Sequence, residues 1–290
     1  MTRISTVSAK ASILNIERLT PTIGAYVNDV DLADVSNPLL REALKAALAD
    51  YQVLFFRDQT LTTDQQIDVA RVFGDPDKAK AYFKRHEQKS VIELIEAIPG
   101  ARPARTDQWH ADITFSDNPP TGTVLYAREL PPLGGDTLWA SATRAYDLIA
   151  PELQAYLETL QAVHSIEHSG WPDHFLAKPN GEELYRQARA ERLPTVHPVV
   201  RTHPVTGRKI LYVNPNFTSH IKGLQRPQSD ALLSYLFSLF NKPDVQVRLR
   251  WQPNTVAIWD NRATLHYAVS DYIGEYRLLH RVTFGEDQAF

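Results

Sequence analysis

Two residues with metal-binding side chains lie two positions apart in the segment WHADITF, residues 109–115. Aromatic and β-branched residues alternate there with short polar ones, and this pattern predicts a β-strand with one buried face. Because side chains two positions apart on a strand point to the same side, we expect His110 and Asp112 to project together. A second histidine would complete a set of two histidines and one carboxylate, which leaves open positions on iron(II). Most such pairs are ordinary polar residues at a strand edge, so this pair needs support from elsewhere in the chain.

A candidate for the second histidine is His266, in the segment RATLHYA between a strand-like run that ends at Asp260 and the last predicted strand. The sequence contains ten histidines, and a hydrogen-bonded core residue is the ordinary interpretation of one taken alone. The neighbouring segments therefore have to decide between a metal ligand and a core histidine.

The last predicted strand, residues 276–284, carries two arginines on the face that also holds Leu279 and Thr283. A buried and unpaired guanidinium is costly, so an inward face would need an anion for Arg277 and another for Arg281. The planar fork of arginine fits a carboxylate or a sulfonate with two parallel hydrogen bonds. The alternative is that this face is exposed to solvent and that the intervening residues line the core. The strand pattern alone favours neither.

Several motifs occur in a fixed order: WHxD at 109–112, GGDTLW at 134–139, HPVVR at 197–201, WDNR at 259–262, His266, and the arginines of 277–281. Together they resemble the taurine dioxygenase family of iron(II)- and 2-oxoglutarate-dependent dioxygenases, to which bacterial alkylsulfatases belong. The resemblance extends from about residue 12 to the C-terminus. It implies a mainly β fold with flanking helices around a double-stranded β-helix, the jelly roll of cupin-like proteins.

The resemblance also implies site residues. His110, Asp112 and His266 match the iron ligands of the family. Three protein ligands leave three positions on octahedral iron, of which 2-oxoglutarate takes two and dioxygen the third. Arg277 and Thr137 match the residues that bind the cosubstrate 2-oxoglutarate. The implied cofactors are therefore Fe(II), 2-oxoglutarate and O2.

The implied substrate pocket differs from that of the taurine enzymes. Ala79 stands where those enzymes have a histidine, Thr106 replaces an asparagine, and Ile166 replaces an aromatic residue. The loss of hydrogen-bonding groups weakens recognition of a small polar substrate, so we expect a longer or more apolar anion than taurine. The residues expected to bind the substrate are Arg281, near its anionic group, and Tyr82, Thr106, Ile113, Ile166 and Phe217.

The expected reaction is hydroxylation of an alkyl sulfate or alkylsulfonate, which releases sulfate or sulfite, an aldehyde, succinate and CO2. One alternative is the same chemistry without cleavage, on an aryloxyalkanoate or an acylated amino acid. Another is a cupin-like metal-binding protein that uses the same three ligands without oxygen. Family members commonly form dimers or tetramers, so the resemblance also implies a homo-oligomer.

The composition is that of an ordinary globular protein, with 290 residues, 43% hydrophobic and 22% charged, and a formal net charge of −3. No basic excess argues for nucleic acid or membrane partners. The absence of cysteine excludes disulfides, thiolate metal sites and a cysteine nucleophile. We find neither the apolar core of a signal peptide nor an apolar run of about 18 residues, so we expect a cytoplasmic protein.

We predict a single domain over residues 1–290, with residues 1–10 disordered and residues 76–108 and 167–195 forming loops or lids at the site. Capping signals predict helices that begin near Asn37, Thr62, Ser141 and Pro151, and a later helix is predicted at 228–240. Strands are predicted within 13–30 and at 51–56, 91–94, 123–128, 137–139, 199–201, 209–213, 245–251, 255–259 and 276–284.

Overall fold

The computed structural model describes residues 13–77, 84–99, 107–169, 171–176, 180–190 and 194–286. Three residues of the expected pocket, Ala79, Tyr82 and Thr106, lie outside the described part of the chain, as do residues 1–12. The expectations that fall on them therefore stay predictions. No helix in the described ranges is long and apolar enough to cross a membrane.

Fifteen strands are present in the described residues. They are β1 Asn15–Arg18, β2 Ala25–Asn28, β3 Val53–Phe56, β4 Glu93–Ala97, β5 Pro120–Glu129, β6 Thr137–Ser141, β7 Gln161–His164, β8 Thr195–Pro198, β9 Val200–Thr202, β10 Lys209–Leu211, β11 Thr218–Ile221, β12 Gln246–Leu249, β13 Val256–Asp260, β14 Thr264–Ala268 and β15 Arg277–Glu286. The α-helices are α1 Pro38–Tyr51, α2 Thr63–Phe73, α3 Ala142–Asp147, α4 Pro151–Leu157, α5 Trp171–Leu176, α6 Gly181–Ala190 and α7 Arg226–Leu239.

A seven-stranded sheet in the order β1-β2-β3-β13-β5-β15-β4 forms one wall of the fold. Its pairs are antiparallel except for β2 and β3, which run parallel. The facing wall contains the three-stranded sheet β12-β6-β14, and β11-β7-β8 and β10-β9 form two smaller sheets. The chain therefore adopts the expected mainly β jelly roll, in which short strands form the facing sheets and the helices pack outside them.

The central strands of the large sheet, among them β3 and β13, are buried on both faces. One face packs against α1 and α2 in a core that includes Leu44, Ile67 and Val282. The other face meets the β12-β6-β14 sheet, where Phe55 and Trp259 contact Trp139 with ring centroids 5.2 and 5.7 Å apart. Aromatic pairs at these distances favour edge-on packing, which fixes the spacing between the two walls. Aromatic side chains therefore fill the space between the two sheets.

The helix starts follow the capping signals. The side chain of Asn37 accepts a hydrogen bond from the backbone N–H of Leu39 ahead of α1, and Thr62 forms a capping box with Gln65 at α2. Ser141 caps α3 through the backbone N–H of Arg144. These local hydrogen bonds satisfy donors that have no partner within the helix, which is why sequence alone located them.

Several local predictions were incomplete or wrong. Residues 109–115 form no strand: His110 makes a single bridge to His266, and a turn follows at 112–115. The strand expected at 91–94 begins at Glu93 instead. Helices α5 and α6 occupy much of the range 167–195, for which the sequence predicts a loop or lid, and the sequence pattern does not predict β7, β8, β11 or β14. The short strands β7 and β11 are set by pairing with distant strands rather than by local sequence.

Candidate metal centre

The three residues expected to bind iron converge in the interior, although His110 and His266 are 156 positions apart in the sequence. One ligand atom from each of His110, Asp112 and His266 lies within 4.8 Å of the others. All three residues are buried, with 5 to 7% of their surface exposed. The backbones of His110 and His266 exchange two hydrogen bonds, of 3.0 and 2.7 Å, so β14 holds the two imidazoles side by side.

A turn, and not a strand, brings Asp112 towards the histidines. Ile113 has φ +57°, a left-handed conformation that a β-branched residue rarely adopts. Asn261 holds this turn from the end of β13: its Oδ1 accepts from the backbone N–H of Asp112 at 2.7 Å, and its Nδ2 donates to the backbone oxygen of Asp112 at 2.9 Å. The strained turn is therefore fixed by a tertiary contact and not by local preference.

The hydrogen bonds of His110 define which of its nitrogens can bind a metal. Its Nδ1 lies 2.7 Å from the backbone oxygen of Gln108, and because a carbonyl only accepts, Nδ1 carries the proton. The Nε2 lone pair is then available to a metal, as in many protein sites. The Nδ1 atom of His266 is buried and has no hydrogen-bond partner among the described residues. Its Nε2 lies 3.9 Å from Oδ1 of Asp112.

The electrostatics favour the protonation states that a metal requires. Burial lowers the pKa of His266 to about 3, with the charge of His110 as a second cause, and burial also lowers the pKa of His110. Burial by itself would raise the pKa of Asp112, but the charge of the neighbouring Arg281 helps to hold it below its usual value. At pH 7 the site therefore contains two neutral imidazoles and one carboxylate, which is the state that binds a divalent cation.

Arg281 lies beside the carboxylate of Asp112, where the resemblance had placed a substrate residue. Its Nη1 donates to Oδ1 of Asp112 at 3.2 Å, and its other side is ion-paired with Glu93 of β4. Only 8% of the arginine is exposed, so the inward-face interpretation of the last strand is correct and the solvent-exposed alternative is wrong. Both faces of β15 are in fact buried, because α2 covers the second one.

The two residues expected to bind 2-oxoglutarate lie in neighbouring parts of the interior. Arg277 is 4% exposed, and its Nη2 donates to the backbone oxygen of Gly135 at 3.1 Å. Thr137 begins β6, and its Oγ1 accepts from Nε1 of Trp251 at 3.0 Å. Gly135 has φ +72°, and a Cβ atom there would lie 3.1 Å from Nε of Arg277, so only glycine lets this turn approach the arginine.

An apolar wall stands beside His110. It contains three of the expected substrate residues, Ile113, Ile166 and Phe217, packed with Phe115 and with Phe175 of α5. The ring of Phe217 lies edge-on to that of His110, with centroids 6.3 Å apart. Leu184 and Tyr185 of α6 pack against the same cluster. The segment expected to form a lid thus contributes apolar side chains to this wall.

The model of the taurine catabolism dioxygenase TauD, TfdA family matches residues 15–283 of the chain. The chain belongs to this family. It is 34% identical to an alkylsulfatase from Acinetobacter baylyi, over 93% of this chain and 84% of that protein. It is also 34% identical to an alpha-ketoglutarate-dependent sulfate ester dioxygenase from Pseudomonas putida, over 93% of this chain and 89% of that protein.

The fold comparison agrees with the sequence comparison. A crystal structure of a taurine dioxygenase from Burkholderia xenovorans superposes with a TM-score of 0.80 at 33% identity, over 94% of this chain and 90% of that one. The expected jelly-roll fold is therefore confirmed. The chain is a 2-oxoglutarate-dependent dioxygenase that uses Fe(II), 2-oxoglutarate and O2 and acts on a small molecule. The alternative of a metal-binding protein without oxygen chemistry is wrong.

The residues present in this dioxygenase fit its cofactors. Two neutral histidines and a carboxylate are the donor set that non-haem iron(II) prefers when positions must stay open for other ligands. The Nε atom of Arg277 is buried without a hydrogen-bond partner among the described residues, and burial lowers the pKa of this guanidinium. A cation in that situation lacks an anion, and a carboxylate of 2-oxoglutarate has the charge and geometry to supply it.

Sequence reasoning missed three residues that shape the site. Asn261 stands in the WDNR motif but was given no role, although it holds the Asp112 turn. Thr123 of β5 donates to Oδ2 of Asp112 at 3.4 Å, but the local sequence contains no pattern that predicts this role. Glu93 is a buried acid in the segment VIELIE, and no local signal predicts its burial or its partner.

Proposed function

We propose that this dioxygenase oxidises an alkyl sulfate or an alkylsulfonate at the carbon that bears the sulfur group. Two features of the metal centre carry the proposal: the apolar wall of Ile113, Ile166 and Phe217, in which Phe217 lies edge-on to His110, and the buried Arg281, which donates to Asp112. An alkyl chain fits the wall and a monoanionic head group fits the arginine. The similarity to an alkylsulfatase and to a sulfate ester dioxygenase supports the same substrate class.

We assign His110, Asp112 and His266 as the residues that would hold iron(II). Arg277 would bind the distal carboxylate of 2-oxoglutarate, and Thr137 would donate to the same cosubstrate. Bound iron(II) supplies the chemistry that couples decarboxylation of 2-oxoglutarate to hydroxylation of a C–H bond by dioxygen. The protein's own part is to keep the reacting carbon near the metal and to exclude bulk water from it.

The apolar wall and Arg281 together determine which carbon reacts. With the head group on Arg281, the adjacent carbon is held beside the metal cluster while the rest of the chain lies along Phe217 and Ile166. Hydroxylation places an OH on the carbon that bears the sulfate or sulfonate. Loss of that hydroxyl proton forms the C=O bond as the C–O or C–S bond breaks, which gives an aldehyde and sulfate or sulfite.

A panel of substrates tests the proposal. The iron(II)-loaded protein is given 2-oxoglutarate, air and one of four compounds: octyl sulfate, octanesulfonate, taurine or an aryloxyacetate. We expect succinate to form with one equivalent of sulfate or sulfite from an octyl compound, and taurine to be the poorer substrate. The His110→Ala variant is the control and should form neither product. The proposal is wrong if taurine is the best substrate, or if a hydroxylated product accumulates without release of sulfur oxyanion; the latter would favour cleavage-free hydroxylation.

The remaining assignments are proposals of the same kind. We propose one catalytic domain over residues 1–290, with 76–108 and 167–195 bordering the site, and substrate contacts from Tyr82 and Thr106. We also propose a cytoplasmic homodimer or homotetramer with no nucleic acid or membrane partner. Light scattering on the purified protein tests the oligomeric state, and a mass equal to that of one chain would reject it.

A further inference from the structure

A buried ion pair joins the two strands at the edge of the large sheet. Glu93 of β4 and Arg281 of β15 are direct cross-strand partners, so their side chains lie on the same inward face. The carboxylate oxygen Oε2 of Glu93 accepts a hydrogen bond from Nε of Arg281 at 2.6 Å and lies 2.5 Å from Nη2 in the same ion pair. Glu93 is 2% exposed and Arg281 is 8% exposed. The pair therefore lies inside the fold, next to the metal cluster.

This pairing divides the guanidinium into two sides. Glu93 occupies the side formed by Nε and Nη2, while Nη1 is directed at Asp112, 3.2 Å from its Oδ1. An anion that approaches Arg281 from the metal cluster therefore meets a cation whose charge is already shared with two carboxylates, and Glu93 is the one of the two that is not expected to bind the metal. Because the pair is buried, water and salt screen the charge of Glu93 only weakly.

We propose that Glu93 is a specificity-determining residue that limits the charge of the anion held by Arg281. A sulfate ester or a sulfonate carries one negative charge, whereas a phosphate monoester of nearly the same shape carries almost two at pH 8. Repulsion by Glu93 grows with the charge of the ligand, so it penalises the phosphate ester more than the sulfate ester. The inference rests on the proposed function, because it takes Arg281 as the residue that binds the anionic group.

The variant Glu93→Gln isolates the charge. A glutamine oxygen can still accept from Nε of Arg281, so the position of the guanidinium is retained while one negative charge is removed. Octyl sulfate and octyl phosphate are titrated by calorimetry at pH 8 into protein loaded with iron(II) and 2-oxoglutarate, without oxygen so that no turnover occurs. We expect the wild type to prefer octyl sulfate, and the ratio of the two dissociation constants to fall about tenfold or more in the variant.

Glu96→Gln is the matched control on the same strand. Glu96 is also ion-paired, with Lys84, and accepts from the hydroxyl of Tyr276 at 2.8 Å, but it is paired in register with Leu278 on the opposite face of the sheet. We expect its substitution to leave the ratio of dissociation constants within twofold of the wild type. The KM for 2-oxoglutarate should also stay within twofold in both variants, which shows that the interior remains assembled.

The outcomes separate this inference from the proposed function. An unchanged ratio in Glu93→Gln overturns the role of Glu93, even if octyl sulfate is turned over normally. A ratio that falls in this variant alone supports it, even if the substrate panel rejects alkyl sulfates as substrates. Failure of octyl sulfate to bind to the wild type would overturn the role of Glu93, and it would also overturn the proposed function if octanesulfonate is not turned over either.

Discussion

Arg277 shows how one side chain is prepared for a ligand that the protein itself does not supply. The guanidinium is buried, its Nη2 donates to the backbone oxygen of Gly135, and its charge centre lies 5.4 Å from the ring centre of Tyr272. A contact with an aromatic ring stabilises a cation by about 0.5–2 kcal/mol, which is less than the cost of burying it without an anion. The arginine is therefore positioned for a carboxylate.

The Arg277→Ala variant should raise the KM for 2-oxoglutarate by about 10- to 100-fold, because charge-assisted hydrogen bonds contribute about 1.5–3 kcal/mol. The KM for the sulfur-containing substrate should change little. Steady-state kinetics with each substrate varied in turn measures both constants. Arg208→Ala is the control, since that arginine is exposed and paired with Asp147. An unchanged requirement for 2-oxoglutarate would show that the cosubstrate binds elsewhere.

At the scale of elements, the turn at 112–115 depends on its neighbours. At Thr114, Nε2 of His197 donates to the backbone oxygen at 2.8 Å, and Nδ2 of Asn214 donates to the hydroxyl at 3.0 Å. At Asp112, the side chain of Asn261 at the end of β13 bonds the backbone N–H and the backbone oxygen. β13, β8 and the segment after β10 thus fix a turn whose own backbone conformation is unfavourable at Ile113.

Substitution of Asn261 should therefore weaken metal binding without removal of a ligand. We expect Asn261→Ala to raise the dissociation constant for iron(II) by about 10- to 100-fold, the usual effect of losing a group that orients a metal ligand. Anaerobic titration with iron(II) measures the constant. Asn241→Ala is the control. The Oδ1 atom of Asn241 accepts from Nε1 of Trp109, which lies in the segment 109–115, but it makes no bond to the backbone of Asp112. Equal dissociation constants for iron(II) in the two variants would show that Asn261 does not orient Asp112 for metal binding.

At the scale of the whole molecule, several histidines are buried in the neutral state. Burial is the main cause that lowers the pKa of His197 and, more strongly, that of His164. His280 lies on the face of β15 that α2 covers, and burial, with the charges of Arg128 and His86, lowers its pKa to about 4. Since an unfolded histidine has a pKa near 6.5, the unfolded chain binds more protons than the folded one below that pH.

The folded state should therefore lose stability as the pH falls from about 6.5 towards 4. We expect His280→Leu to lose less stability than the wild type between pH 7 and pH 5, by about 1 kcal/mol, because leucine has no proton to gain. Urea unfolding of both proteins at the two pH values measures the difference. If the variant loses as much stability as the wild type, His280 contributes nothing to acid sensitivity.

The sequence by itself determined the features that depend on residue type and on short-range contacts. The caps at Asn37, Thr62 and Ser141 locate helices because a side chain bonds a backbone donor two or three residues away. The alternation in β15 placed Arg277 and Arg281 on one face. The order of the motifs resembles that of a known family, and this resemblance identified His110, Asp112 and His266 as the expected iron ligands.

Only the tertiary structure decided how those residues meet. A strand was the natural prediction for 109–115, yet the chain turns after His110 because Asn261 and His197 bond its backbone from distant elements. The pairing of Glu93 with Arg281 likewise depends on the register of two strands that are 188 positions apart at this point. Such contacts join residues whose separation leaves no local pattern, so their physical cause lies in the packing of the sheets and not in any one segment.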